Sequence, residues 1–188
     1  MSQGILRWTV GIAAMAAPLL HTLTDVMEWW QQGFTPLQLW LNYIAFVPMA
    51  WLLLGVCAVR TPPLGTLAMV GAILYGAAFT YFAHTTLYAL AERTHDYATL
   101  WARLGTAYTV HGALMIAGGF LFAWDAWRRR ALPRVAVGLF AGGLAVNLLL
   151  AALPAPDILQ TLGSACRNAG LVAMGWAVAF GPPAEAGS

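Results

Sequence analysis

A chain of 188 residues that is 61% hydrophobic, 9% charged and +0.71 in mean hydropathy is far from the roughly 25% charge of soluble domains, which excludes a water-soluble enzyme. A net charge of +2 leaves no basic surface for nucleic acid. All nine basic residues are arginine, which excludes lysine Schiff-base chemistry, and Cys57 and Cys166 stand apart without a CxxC, which argues against an iron–sulfur or dithiol centre.

Apolar runs broken by charges, Pro and Gly predict one all-α domain over residues 1–188, an integral membrane bundle with short loops. Its six spans fall at residues 5–28, 37–59, 65–90, 103–127, 133–153 and 158–180, followed by a disordered tail at 181–188. The first run lacks a strongly charged start and a clear cleavage site before His21, so it reads as a helix rather than a signal peptide. Within it His21, Asp25 and Glu28 recur at i, i+4 and i+7, one stripe of a helix that ends at Trp29 and Trp30. Pro18 and Pro48 are expected to kink the first and second spans, and Asn42 to link helices by hydrogen bonds.

On the third span Thr80, His84 and Tyr88 share a face, with Tyr81 beside them. A loop centred on residues 91–102 carries His95, expected to be solvated. The fourth span aligns Tyr108, His111 and Met115 and stops at Trp127 followed by Arg128, Arg129 and Arg130. On the fifth, Gly138 and Gly142 have GxxxG spacing and are expected to pack inside the bundle, with a homodimer as the other use of small-residue faces. The sixth holds Arg167 and Asn168, and an arginine so deep in a span needs a partner or water access.

Arg7, Arg60, Arg128, Arg129, Arg130 and Arg134 gather at one side, so the positive-inside rule predicts cytoplasmic termini in a multi-pass protein of a bacterial inner membrane. The opposite, periplasmic half receives all four histidines and Asp25, Glu28, Glu92, Asp96 and Asp157, with Asp125 and Glu185 as exceptions. His21, His84 and His111 then sit at similar depth on three helices. Three imidazoles with Asp25 as ligand or orienting group suit a divalent metal, zinc or iron. On that reading the chain is a membrane enzyme, a zinc hydrolase or an iron oxidoreductase. Glu28 is its base, and Arg167, Tyr81, Tyr88, Tyr108 and Trp29 contact a lipid-like substrate.

A second reading places haem b between His84 and His111 in a quinone-linked electron-transfer protein, with Arg103 or Arg167 on a propionate. A third needs no cofactor. Asp25 and Glu28 perform acid–base isomerisation or cyclisation of an isoprenoid or sterol-like substrate among aromatic rings, or serve a proton-coupled transporter. The plainer reading of each histidine is a hydrogen bond to a carbonyl or to interfacial water, and of the Trp and Tyr residues an interfacial belt.

Overall fold

The structure is a computed structural model that describes residues 2–60, 63–151, 153 and 157–181. It contains six helices and, among the described residues, no strand: α1 (Gln3–Gln31), α2 (Pro36–Val59), α3 (Thr66–Ala91), α4 (Tyr97–Arg129), α5 (Arg134–Ala151) and α6 (Asp157–Phe180). The all-α bundle is as expected, but five of the six helices, not six, are long and apolar enough to cross a membrane by themselves. α6 is the sixth. It has 24 residues, yet its first half spends positions on Gln160, Thr161, Ser164, Arg167 and Asn168, which lower its hydropathy. Residues 182–188, with Glu185, and Pro62, Pro154 and Pro156 lie outside the described residues, as does the side chain of Asp157.

Capping fixes several boundaries. Ser2, Thr35 and Asp96 each accept the backbone N–H three residues on, and Pro36 takes the first turn of α2, where its missing donor costs nothing. The Asp96 cap starts α4 six residues before the predicted residue 103. That early start meets Gly105, whose φ of 55° and ψ of −132° break the helix sharply.

Each helix packs on its chain neighbours, and α6 returns to α1, so the six form a closed up-and-down ring. Hydrogen bonds mark its two ends. At the terminal end Arg7 Nη2 donates to the carbonyls of Val178 (3.2 Å) and Gly181 (3.0 Å), and Arg60 Nε donates to the carbonyl of Ala131. At the distal end the Phe34 N–H donates to the His95 carbonyl at 2.7 Å, tying the α1–α2 connection to the α3–α4 connection. Asp125, an exception in the sequence pattern, has a structural place at the terminal end. Its carboxylate accepts the Gly65 N–H at 2.6 Å, just before α3, and Arg129 Nε at 3.0 Å.

Glycine sets the closest approaches. A Cβ on Gly71 would strike the Gly118 carbonyl, and one on Gly118 would strike that of Gly71, so α3 and α4 meet backbone to backbone. Gly11 and Gly175 do the same for α1 and α6, and Gly143 lets α5 lie against the backbone of Arg167. Gly138 and Gly142 are not used in this way, contrary to the expected packing inside the bundle. Both are exposed, with open space beside Gly142 and only the far edge of Trp127 near Gly138, because Phe140, Gly143 and Leu144 form the inward face of α5.

The bundle is divided along its axis. Met49, Leu53, Val56, Phe122, Val137, Leu171 and Met174 fill the terminal half without a gap of polarity. The buried polar residues among those described, Asp125 excepted, lie in the distal half or its connections: His21, Thr24, Gln38, Asn42, Thr85, Thr86, Thr94, Arg167 and Asn168.

Candidate functional site

The α1 stripe turns inward as its spacing requires. His21 is 7% exposed, and its ring meets Phe46 at 4.8 Å and Phe79 at 6.5 Å between centroids. Its Nδ1 lies 3.3 Å from Asp25 Oδ1, one turn nearer the distal end, and the Asp25 side chain keeps 16% of its surface open. The i, i+4 spacing makes the pair local, so the two groups meet however α1 rotates.

Side chains from α2 and α6 surround this pair. The Thr24 hydroxyl lies 2.8 Å from the His21 carbonyl and 3.2 Å from Asn42 Oδ1. Gln38 Nε2 donates to the Thr24 carbonyl at 3.4 Å, while Gln38 Oε1 is buried with no donor among the described residues. From α6, Arg167 places its guanidinium 5.8 Å above the Phe79 ring, and its charge is felt at both His21 and Asp25. Nε and Nη2 reach Asn168 Oδ1 at 3.4 and 3.3 Å, and Nη1 reaches Met115 Sδ at 3.4 Å. Asn168 Nδ2 donates to Thr22 Oγ1 at 3.0 Å, linking α6 to α1.

A roof lies over this cluster. The bend at Gly105 folds residues 97–104 back, so that the Tyr97 and Tyr108 rings are 5.6 Å apart although eleven residues of straight helix would separate their backbones by about 16 Å. Both phenols lie within electrostatic range of Asp25 and Glu28. Trp101 Nε1 donates to Thr109 Oγ1 at 3.1 Å across the same bend, and Leu100 is seated on Leu39 and Ala89.

The predicted site residues therefore divide. His21, Asp25 and Arg167 come together, with Glu28 and Tyr108 at the roof. His84 is exposed on the outer face of α3. His111 stands on the outside of α4, with Nδ1 2.7 Å from the Ala107 carbonyl and its ring stacked on Tyr81 at 3.8 Å. Tyr88 packs against the small cluster of Leu39, Ala89 and Leu100, and Trp29 is exposed beside Trp30. His21, His84 and His111 are not brought to one point, and the described residues hold no group of three or more His, Cys, Asp or Glu side chains spaced for a metal ion.

Sequence reasoning passed over Thr22, Gln38 and Tyr75. Tyr75 is completely buried, and its hydroxyl has no hydrogen-bond partner among the described residues. Nothing marks it in the sequence, since it sits in an apolar run of α3. Thr22 and Gln38 carried a faint signal, polar residues at the distal ends of the first two spans close to His21 and Asn42. Comparison with known proteins adds nothing to this geometry: no family model, no curated protein and no solved structure matches the chain.

Proposed function

We propose that the chain is a membrane-embedded acid–base enzyme that acts on a membrane-dissolved, lipid-like substrate at the distal end of the bundle. The observation that carries this reading is the His21–Asp25 pair, 3.3 Å apart within one turn of α1 and set beside the buried Arg167. An imidazole oriented by a carboxylate is the pairing that general acid–base catalysis uses, and a position screened from bulk water keeps its proton transfers directed at the bound substrate. His21 exchanges the substrate proton, Asp25, 3.3 Å from its Nδ1, takes up or returns that proton, and Glu28, at the roof with Tyr97 and Tyr108, passes protons to the surface.

The apolar packing of the terminal half favours a one-sided site over a path through the bundle. The arginines at the terminal end favour a cytoplasmic position for both termini in a bacterial inner membrane, with the roof facing the periplasm. The metal and haem readings have less support, because His84 and His111 lie on outer faces away from His21.

The test is untargeted lipid mass spectrometry on membranes incubated in D2O with wild type, Asp25→Asn or His21→Gln. Wild type is expected to incorporate deuterium into, or shift the mass of, one lipid class, and both variants to lose that change. Identical spectra from all three proteins would overturn the proposal.

A further inference from the structure

Arg167 is a buried cation whose hydrogen bonds, among the described residues, all go to neutral acceptors. It is 3% exposed and lies about 15 Å along α6 from its distal start, at 1.5 Å per residue. An arginine near the middle of a membrane is costly unless it is paired or hydrated. No carboxylate among the described residues comes within 4.0 Å of it. A guanidinium has five N–H donors. Those of Arg167 meet the single oxygen of Asn168 twice and a thioether sulfur once, all neutral partners at 3.3 Å or longer.

A second, independent observation falls at the same place. The Tyr75 hydroxyl on α3 is fully buried with no partner among the described residues, and it feels the charge of Arg167. A donor on α3 and incompletely used donors on α6 thus lie against the same ring, Phe79, with Tyr75 at 4.8 Å between centroids and the Arg167 guanidinium at 5.8 Å, and Met115 beside the guanidinium. A buried hydroxyl and a buried planar cation together complement an oxyanion: the guanidinium fork takes two oxygens and the phenol donates to one.

We infer that Arg167 and Tyr75 form a receptor for an oxyanion, a carboxylate or phosphate group, and that this group anchors the substrate beside His21. The inference rests on the acid–base reading only for the chemistry after binding; recognition of the anion stands on Arg167 and Tyr75 alone. The ligand is an acidic amphiphile or a free anion of the same chemistry. Asn168, held to Thr22 across the α1–α6 contact, fixes the Nε edge of the guanidinium and leaves Nη1 with only the weak Met115 thioether acceptor.

The experiment measures thermal unfolding of the whole protein in nanodiscs of zwitterionic lipid. The probes are dodecanoate, dodecyl phosphate, dodecanol, dodecyltrimethylammonium, acetate and inorganic phosphate. Dodecanoate and dodecyl phosphate are expected to raise the wild-type midpoint by several degrees at saturation, and dodecanol and the ammonium to leave it unchanged. Stabilisation by acetate or inorganic phosphate to the same extent supports the receptor with a free anion as its ligand. Arg167→Met is expected to abolish the anion response and Tyr75→Phe, which keeps the ring, to weaken it at least several-fold. If Arg167→Met does not fold, Arg167→Lys, which keeps the charge and loses the fork, takes its place and is expected to respond less than wild type. An equal response to dodecanol and dodecanoate, or an undiminished response in the Arg167 and Tyr75 variants, overturns the inference. Asp25→Asn is expected to keep the anion response while losing the lipid change; a wild-type protein that binds the anion yet changes no lipid refutes the acid–base reading and leaves the receptor standing.

Discussion

Replacing Asp125 by alanine is expected to destabilise the bundle by about 2–5 kcal/mol, and the structure says which partner carries most of that loss. Its carboxylate accepts the Gly65 N–H at 2.6 Å and Arg129 Nε at 3.0 Å, and 9% of the side chain is exposed. The Gly65 bond is charge-assisted and buried, worth about 1.5–3 kcal/mol. A carboxylate at the start of α3 adds about 0.3–1 kcal/mol through the helix dipole. The Arg129 pair contributes about 0–1 kcal/mol, because half of that side chain, 51%, stays in solvent and is screened. Asp125→Asn, which keeps an acceptor but loses the charge, should cost less than Asp125→Ala, and Arg129→Ala less than either. Unfolding by titration with SDS in mixed micelles, for wild type and the three variants, gives the order directly. If Arg129→Ala costs as much as Asp125→Ala, the ion pair outweighs the cap and the reasoning fails.

Gly118→Leu is expected to disrupt the α3–α4 contact by more than about 1–3 kcal/mol, since the added side chain meets the Gly71 backbone, while Gly142→Leu, beside open space, should leave the melting midpoint unchanged; thermal melts of the two variants compare them. Gly105→Ala finds room for its Cβ, but the backbone there has φ 55°, so a cost of about 1–3 kcal/mol and a changed Trp101 emission are expected as the roof shifts. At Asp96 the Thr99 N–H, donating at 2.7 Å, holds the carboxyl below its ordinary value. The cap therefore contributes fully above the unfolded carboxylate value of about 3.9 and is lost as pH falls through the lower folded value. The gap in midpoint between wild type and Asp96→Asn should accordingly close only below about pH 4, and a gap that closes at neutral pH would contradict it.

Helix number and most boundaries were legible because length and apolarity decide them: residues 37–59 against Pro36–Val59, and 158–180 against Asp157–Phe180. Helix rotation was not. α3 is apolar on every side, so nothing in its sequence told whether His84 or Tyr75 turns inward, and lipid accepts an apolar face as readily as the core does. The rotation comes instead from Gly71 against Gly118, a contact between residues 47 apart that no local pattern announces. The His21–Asp25 pair was legible because both members lie on one turn of one helix. Its meeting with Arg167 was harder to foresee, since it depends on α6 closing against α1.

That closure also bears on how the molecule is assembled. Five helices are long and apolar enough to cross a membrane, and α6, the more polar sixth, follows them in chain order. The seat for α6, with Gly11 opposite Gly175 and Thr22 opposite Asn168, lies on α1 at the far end of the chain. A chain cut before Asp157 is therefore expected to insert as an open five-helix horseshoe, its polar stripe turned to lipid. On that expectation the arginine reaches its place by docking into a prepared cleft rather than by partitioning alone, and closure of the ring follows the packing of the other five helices.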